Sequence, residues 1–460
     1  MVTSRITSDS DTLNAWDTAH AWHPFTQASE RIIAPHIQVE RGEGCWLYDV
    51  EGKRYLDGTA SLWTNVRGHG DFALNEALRD QLDRLAHSTY LGLAHPSATK
   101  LVRKLAEIAP GELEVTFFSD NGSCAVEVAL KTSFQHWQLT GHPQKRKVAA
   151  MEGAYHGDTF GAMSVSGNGS FTERFRPWCF EVERFSAPSC RESAGIVHEA
   201  DATRSLAELK HLLDREGSRL AAVVLEPSIQ GAAGMKQQPP GFVKEVATLC
   251  KRAAVHLILD EVFVAFGRAG TMLVCSEEGI QPDFLCLAKG LTGGYLPMAA
   301  TMTTNEIHAA FTGPHHEHRT LYHGHTFTAN PLAAAIALRN IELLEQDLAD
   351  GVVDKGINAF GRQIDDCLGD HPCIREIRQR GLTCCLDLCP ANRPDDSFPI
   401  ERRIGLEVCL EARKRGVLLR PLGNSIPVVP PILIRSDEIE FLCVTLRQAL
   451  DATLAKELNS

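Results

Sequence analysis

Polar residues stand at the ends of four short apolar runs in this chain. Glu226 follows "RLAAVVL", Asp260 closes "VHLILD", Lys289 follows "DFLCLA", and "EVTFFS" leads into a turn that contains Gly122 and Ser123. Lysine is among the residues least often buried without a partner. A lysine at the end of a core strand therefore indicates a chemical role, with a carboxylate and a glycine–serine turn as further reacting or binding groups.

Pyridoxal phosphate is a cofactor that needs these groups, because it takes a lysine amine for its Schiff base, a carboxylate at its ring nitrogen and an anion site for its phosphate. A helix that begins at Gly122 and Ser123 offers free N–H groups to a phosphate. Asp260 would keep the ring nitrogen protonated, and the lowered pKa of Lys289 would make its amine a nucleophile and base. Taken singly, each residue is equally well explained as a satisfied polar group at a strand end, but the order of the set favours the cofactor.

Helical patterns alternate with the apolar runs, as in "GFVKEVATLCKRAA" (241–254) and "NPLAAAIALRNIELLEQ" (330–346). This alternation predicts an α/β fold whose parallel sheet is covered by helices on both faces. Ligands bind at the carboxyl ends of the strands in such open sheets, so the four run ends are expected to meet in one site. Nearer the termini, "CWLYDVEGKRYLDG" predicts a hairpin turning at Glu51 and Gly52, and "GLTCCLDLCP" and "GVLLRPLG" predict strands.

The composition argues against several classes of protein. The 460 residues are 44% hydrophobic and 23% charged, as in ordinary globular proteins. We find no apolar run long enough for a membrane span and no signal peptide, so a cytoplasmic protein is expected. The formal net charge of -12 argues against nucleic acid as a partner. The 14 cysteines are scattered without a C-x-x-C pair, which predicts free core thiols and no metal site.

Three longer stretches resemble the signature of the class III aminotransferases, which are pyridoxal-phosphate enzymes of fold type I. They are "LILDEVFVAFGRAG", "PDFLCLAKGLTGGYLP" and "YHGHTFTANPLAAA". The resemblance implies a large cofactor-binding domain over residues 72–335, with a mixed, mostly parallel sheet flanked by helices. It also implies a small α+β domain, formed by residues 336–460 together with the N-terminal segment 1–71.

Further stretches are similar to the branch of this class that makes 7,8-diaminononanoate in biotin biosynthesis: "WHPFTQ", "YHGDTFGAMSVSG", "DNGSCAVEVALK" and "RPLGNSIPVVPP". This similarity implies amino transfer to 8-amino-7-oxononanoate. A broad ω-amino acid or amine:pyruvate transaminase is the alternative within the class. A non-enzymatic cofactor-binding regulator is a more distant one, because no basic helix-turn-helix precedes residue 70.

The resemblance also implies roles for residues away from the run ends. Tyr155 would stack on the cofactor, and Thr326 would reach the phosphate in the neighbouring subunit, which makes a homodimer with its active site at the interface. Arg420 would pair with a substrate carboxylate in the bidentate geometry that suits arginine. Glu226 and Arg268 would form a supporting polar pair near the ring.

The chain departs from the family pattern at residues beside the expected substrate. Phe263, in "DEVFVAFGR", stands where a small or amide side chain could approach the ring oxygen of the cofactor. Phe25 replaces a tyrosine beside the substrate, and Leu62 precedes Trp63 where many relatives have two tryptophans. Such a wall would suit a slim alkylamine better than the adenosyl sulfonium group of S-adenosylmethionine. L-Lysine is therefore the expected amino donor, with S-adenosylmethionine as the alternative.

Overall fold

A seven-stranded sheet forms the centre of the computed structural model, which describes residues 10–30, 36–169, 171–193 and 196–458. The strands of this described part are β1 (Val39–Glu43), β2 (Trp46–Asp49), β3 (Arg54–Asp57), β4 (Val115–Ser119), β5 (Lys147–Met151), β6 (Glu183–Phe185), β7 (Ser189–Ser193), β8 (Ile196–Asp201), β9 (Leu220–Leu225), β10 (Ile229–Gln230), β11 (Lys236–Gln237), β12 (His256–Asp260), β13 (Phe284–Leu287), β14 (Ala299–Thr303), β15 (Ile374–Arg380), β16 (Thr383–Leu388), β17 (Val417–Leu418) and β18 (Ser425–Val428). The order in the central sheet is β4-β14-β13-β12-β9-β5-β6. Only β14 runs against the other strands of this sheet. The predicted mixed, mostly parallel sheet is confirmed.

The register of this sheet places the polar residues that end its strands, or follow them, at the same edge of the sheet. Asp260, the last residue of β12, pairs with Cys286 of β13. On its other side β12 pairs with β9, and Glu226 follows β9 directly. Lys289 comes shortly after β13, beyond Cys286. Parallel hydrogen bonding therefore places all three side chains at the carboxyl edge of the sheet.

Helices cover both faces of the sheet, because neighbouring residues of its strands belong to different hydrophobic clusters. Leu257 packs in the cluster that includes residues of helix Phe242–Arg252, whereas Ile258 packs in the one that includes residues of helix Gly122–Leu139. This alternation is the two-sided burial expected of a central parallel strand. The other described helices are Ser10–His20, Phe72–Arg84, Pro96–Ile108, Phe160–Val165, Thr203–Glu216, Val274–Glu277, Asn305–Ala309, Pro331–Ala349, Val352–Leu368, Ile404–Lys414, Ser436–Thr453 and Ala455–Leu458, with a left-handed turn at Ala60–Trp63 and short 3₁₀ turns at Glu173–Trp178, Lys289–Thr292, His315–Glu317 and Ile400–Arg402.

Two smaller sheets lie outside the central one. The first has the order β1-β2-β3-β17 and joins distant parts of the chain, since β3 pairs in parallel with β17. The second, β15-β16-β18, comes wholly from the C-terminal part. The hairpin expected at Glu51 and Gly52 is present, with Trp46 opposite Leu56. The expected strands in "GLTCCLDLCP" and "GVLLRPLG" are β16 and the two-residue β17, whereas β15 and β18 were not predicted. The domain boundaries at 71 and 335 stay predictions.

The described cysteines are all free, and most are buried in the core as expected. Among the described helices, none has both the length and the apolar character needed to cross a membrane.

Candidate active site

A cavity of about 720 Å³ opens at the carboxyl edge of the central sheet. We call it the inner cavity. It unites the four run ends singled out in the sequence, and its lining includes Asn121, Gly122, Ser123, Tyr155, His156, Asp158, Thr159, Glu226, Asp260, Phe263, Ala288, Lys289 and Thr292. Residues from six separate parts of the chain, including Trp63 and Thr64, thus share one space.

Lys289 lines the inner cavity, and its amine lies near two aromatic rings. Its Nζ is 5.1 Å from the ring centre of Trp63 and 5.4 Å from that of Phe263. Burial lowers the pKa of Lys289, while the carboxylates of Asp260 and Glu226 act in the opposite sense. The residue has a φ of 45°, a left-handed conformation that non-glycine residues adopt mainly where a site demands it. The amine is therefore primed to lose its proton and act as a nucleophile.

Asp260 is 5% exposed, and both of its carboxylate oxygens have partners. Nδ1 of His156 donates to Oδ2 at 2.8 Å, and the N–H of Val262 donates to Oδ1 at 3.0 Å. The other ring nitrogen of His156 is buried and has no hydrogen-bond partner among the described residues. The sequence analysis did not identify His156, because this residue ends no apolar run, even though it directly follows Tyr155. His156 fixes the orientation of the Asp260 carboxylate.

The N-terminus of helix Gly122–Leu139 forms the polar wall of the inner cavity. Asn121 caps it by accepting from the N–H of Cys124 at 3.0 Å. The N–H groups in the first turn of a helix have no acceptor within the helix. Gly122 and Ser123 belong to this first turn, and both line the cavity. A Cβ on Gly122 would lie 2.6 Å from Val262, so only glycine fits against the loop after β12. The wall offers N–H donors and a positive dipole end to an anion.

Glu226 is a buried carboxylate held by backbone donors. It accepts from the N–H groups of Tyr155 at 2.9 Å and Gly231 at 3.0 Å. Burial raises the pKa of Glu226 to about 7, with a further increase from Asp260 and an opposing effect of His156. Its hydrogen bonds fix the backbone of Tyr155, whose ring lines the cavity.

A second cavity of about 310 Å³ adjoins the inner one and shares Lys289, Trp63 and Tyr155 with it. We call it the mouth. Four residues expected at the substrate meet here, together with an aromatic ring that was not predicted, Phe171; the lining is Phe25, Thr59, Leu62, Trp63, Tyr155, Phe171, Ala232, Lys289, Arg420 and Leu422. The guanidinium of Arg420 lies 5.6 Å from the ring centre of Phe25 and donates to its carbonyl at 3.4 Å.

The expected polar pair of Glu226 and Arg268 is wrong. Nη1 of Arg268 donates to the carbonyls of Leu382 at 3.0 Å and Pro430 at 2.6 Å, and Nη2 donates to that of Asn65 at 3.1 Å. A buried guanidinium must satisfy many N–H groups at once, and loop carbonyls do so here in place of a carboxylate. Burial lowers the pKa of Arg268 to about 9. Arg268 lines neither cavity and ties three loops together behind the site.

Thr326 is not brought into either cavity of its own chain. It lies exposed in the turn before helix Pro331–Ala349. The large side chains of Tyr322 and Phe327 beside it are 71% and 56% exposed. Its expected role in a neighbouring subunit stays a prediction.

A cluster of possible metal ligands lies apart from both cavities. Nε2 of His23 is 2.7 Å from Oδ1 of Asp17, and Nδ1 of His36 is 3.1 Å from Oδ2. Each imidazole thus has a carboxylate oxygen of its own, and hydrogen bonding accounts for the arrangement.

Asp260 and Lys289 thus line one cavity at the carboxyl ends of two neighbouring parallel strands, an arrangement that suits a cofactor-dependent enzyme. The family model for aminotransferase class III matches residues 27–450. The chain belongs to this family.

Individual relatives cover nearly the whole chain. An adenosylmethionine-8-amino-7-oxononanoate aminotransferase of Geobacter sulfurreducens is 44% identical over 445 residues, which are 96% of this chain and 98% of the relative. A crystal structure of the protein of that name from Methanocaldococcus jannaschii is 36% identical, with a TM-score of 0.91 over 96% of this chain and 99% of that one. A pyridoxal-phosphate-bound amine transaminase of an uncultivated Pseudomonas species is 30% identical, with a TM-score of 0.85 over 95% and 98%.

Proposed function

We propose that this aminotransferase uses pyridoxal phosphate to transfer an amino group to 8-amino-7-oxononanoate. One observation carries the cofactor assignment: Lys289, Asp260 and the N-terminus of helix Gly122–Leu139 line a single cavity. The names of the two relatives from Geobacter sulfurreducens and Methanocaldococcus jannaschii support the acceptor substrate.

The residues of the inner cavity fit the cofactor at each of its polar groups. The N–H groups of Gly122 and Ser123 would bind the phosphate, and Asp260 would pair with the ring nitrogen. Tyr155 would stack on the ring, while Lys289 would bond covalently to the cofactor in the resting enzyme. When bound, pyridoxal phosphate supplies an electron sink for the carbon that loses its proton.

The proton transfers fall to Lys289 in this proposal. Burial favours its neutral amine, so Nζ can accept the proton released from the carbon that carries the donated amino group. Nζ later returns a proton to the carbon that becomes aminated. The carboxylate of Asp260 is held in place because His156 and the N–H of Val262 donate to its two oxygens.

The mouth fits an acceptor with a long apolar chain and a terminal carboxylate. Leu62, Trp63 and Phe171 offer apolar and aromatic surface to the chain, while Arg420 can pair with the carboxylate in bidentate geometry. The carboxylate would then lie far from Lys289 and the ketone near it, which fixes which end reacts.

For the amino donor we propose S-adenosylmethionine in place of L-lysine, which the sequence favoured and which becomes the second candidate. The mouth contains four aromatic rings, those of Phe25, Trp63, Tyr155 and Phe171, and such rings can stack on an adenine and attract a sulfonium. The names of the relatives point the same way. L-Lysine keeps its place because Leu62, which is 50% exposed, leaves one part of the wall aliphatic.

The test uses the full chain loaded with pyridoxal phosphate. Each donor is mixed with 8-amino-7-oxononanoate, and formation of 7,8-diaminononanoate is followed by mass spectrometry, with pyruvate as the competing acceptor. Product with one of the two donors supports the assignment and identifies the donor. A strong preference for pyruvate would instead establish the broad amine transaminase.

We also propose a homodimer in which Thr326 binds the phosphate in the partner subunit. Mixing Lys289→Met protein with Thr326→Val protein tests the arrangement, because a mixed dimer then regains one complete site only if Thr326 acts across the interface. Mixtures without recovered activity, in protein that exchanges subunits, would contradict it.

A further inference from the structure

We propose that Asp57 is a positioning residue for the substrate wall: its carboxylate holds a left-handed turn, Ala60–Trp63, that sets Trp63 against Lys289. The inference rests on the proposed amino transfer, which gives the wall and the lysine their roles. Asp57 ends β3 in the small N-terminal sheet and lines neither cavity.

The turn has a backbone that side chains rarely adopt. Its four residues Ala60–Trp63 have φ values of 44°, 47°, 68° and 69°. The N–H of Trp63 donates to the carbonyl of Thr59 at 2.7 Å, and that of Thr64 donates to Ala60 at 3.0 Å, so the segment is one turn of left-handed helix. In this hand each Cβ crowds the following carbonyl oxygen, and non-glycine residues normally adopt it singly. Four in succession need support from outside the turn.

Asp57 supplies that support from a nearly inaccessible position, being 1% exposed. Its Oδ1 accepts from the N–H and hydroxyl of Thr59 at 3.3 and 3.2 Å and from the N–H of Ser61 at 3.1 Å. Its Oδ2 accepts from the Ser61 hydroxyl at 2.7 Å and from Nε2 of His69 at 3.0 Å. Burial alone would raise the pKa of Asp57, but the hydrogen bonds from His69 and Ser61 bring it below its ordinary value. The carboxylate is thus ionised and fully engaged with the turn.

The far end of the turn is fixed as well. Nδ1 of His69 lies 3.3 Å from Nδ2 of Asn65, which closes a loop of contacts back to Asp57. The carbonyl of Asn65 accepts from Arg268, the buried guanidinium behind the site. A Cβ on Gly294 would lie 2.9 Å from Cα of Asn65, so the backbones pack directly. The turn therefore has little freedom to relax away from its strained conformation.

This fixed turn determines where the aromatic wall meets the reactive amine. The rings of Trp63 and Phe263 have centres 4.8 Å apart, and Nζ of Lys289 lies beside both. A Cβ on Gly231 would come within 3.0 Å of Phe263 and 3.3 Å of Trp63, so the pair packs closely against the backbone of Gly231. A shift of the turn must then change the surroundings of the amine and the shape of the mouth.

The test compares Asp57→Asn with Asp49→Asn as a matched control. Asp49 also ends a strand of the same sheet and accepts from loop N–H groups and from Tyr55, but none of these partners belongs to the turn Ala60–Trp63. In the cofactor-loaded enzyme we expect Asp57→Asn to raise KM for the acceptor roughly tenfold, with a smaller change in kcat, since it weakens hydrogen bonds to a charged group. Asp49→Asn should leave KM unchanged while lowering the melting temperature.

A second readout needs no cofactor. In the cofactor-free chain, Asp57→Asn should shift the fluorescence contributed by Trp63, measured as the difference from the same variant carrying Trp63→Phe. Ala60→Gly, which removes the Cβ of a left-handed residue, should restore KM in the Asp57→Asn background. Ser61→Ala, which deletes one hydroxyl bond, gives a milder form of the defect if Asp57→Asn does not fold.

Equal KM values for the two aspartate variants, or an unchanged Trp63 signal, would overturn the inference and leave the turn a structural feature. If the wild-type chain transfers no amino group at all, the proposed function fails. The Trp63 signal in the cofactor-free chain still decides the role of Asp57 in that case.

Discussion

The inner cavity and the mouth are built in different ways. Asp260 ends β12 and Lys289 comes shortly after the neighbouring parallel strand β13, so the hydrogen-bonded register of the two strands sets the level of both residues. Trp63 and Arg420 reach the mouth from loops beside the small sheet β1-β2-β3-β17. The positions of the side chains in the inner cavity therefore follow from the backbone hydrogen bonds of the sheet. The positions of the side chains in the mouth depend instead on particular side-chain contacts, such as those of Asp57.

This difference separates the residues that react from the residues that select the substrate. A reacting group must be held to a fraction of an ångström, and elements of a sheet do this better than loops. Substrate selection tolerates more variation, and binding residues commonly lie on loops carried by a rigid scaffold. Two of the departures of this chain from its family, Phe25 and Leu62, line the mouth, and the third, Phe263, lines the inner cavity beside Trp63. Asp260 and Lys289 keep the family pattern.

The largest effect is expected at Lys289. Lys289→Met should lower kcat by roughly 10⁴-fold, because both the covalent bond to the cofactor and the proton transfers depend on its amine. Lys145→Met is the matched control: this lysine is also buried, but it donates to the carbonyls of Gly217, Leu220 and Ala254 far from the cavity. The control should lose stability and keep turnover. Equal losses of kcat would show that burial of a lysine, rather than its place at the strand end, matters.

Asp260→Asn should come next, with a loss of roughly 10²- to 10³-fold in kcat, since a preorganised charge at the ring nitrogen is removed. Glu261→Gln offers a neighbouring control. Glu261 is buried too, but it accepts from the N–H groups of Val274 and Cys275 on the side away from the cavity. Steady-state kinetics of both variants would contradict the assignment if Glu261→Gln proved the more damaging.

The pH dependence of the free energy of unfolding should show the raised pKa of Glu226, which also lines the inner cavity. Burial raises its pKa to about 7 from an ordinary value of 4.5. Between these two pH values the folded chain keeps a proton on Glu226 that the unfolded chain has released. The free energy of unfolding should therefore fall as pH rises from 4.5 to 7, by about 3 kcal/mol, and then level off. Glu226→Gln should remove this contribution.

Urea unfolding of the cofactor-free wild type and of Glu226→Gln at pH 5 and pH 8 measures the contribution of Glu226. The change in the free energy of unfolding between the two pH values is compared between the two proteins, so the contributions of the other titrating groups cancel. A variant with the same pH dependence as the wild type would mean that Glu226 is ionised in the folded state.

Sequence reasoning predicted the inner cavity better than the mouth for a physical reason. An apolar run that ends in Glu226, Asp260 or Lys289 identifies a strand end, and the rules of parallel sheets then bring such ends together. His156 was missed because it ends no run and lies in a loop. The expected pairing of Glu226 with Arg268 failed because both residues found backbone partners, which no pattern of side-chain types records.

The mouth was predicted only through family resemblance, and some of its structure had no signal at all. Nothing in "GTASLWTN" marks four left-handed residues, since left-handed backbone is normally expected at glycine. Phe171 was not predicted, because an isolated aromatic residue in a loop gives no periodicity.

The smallest expected effect is at Arg420, and it measures how far the mouth relies on single contacts. Arg420 is exposed, and within its own chain it donates to the carbonyl of Phe25 at a distance of 3.4 Å, so its position is weakly held before substrate arrives. Arg420→Ala should raise KM for 8-amino-7-oxononanoate roughly tenfold with little change in kcat, because the pair it forms with the substrate carboxylate is partly solvated. Arg420→Lys should recover part of the loss, since lysine keeps the charge without the bidentate geometry. An amine substrate without a carboxylate should be used equally well by all three proteins, and a loss with that substrate would place Arg420 in the chemistry rather than in selection.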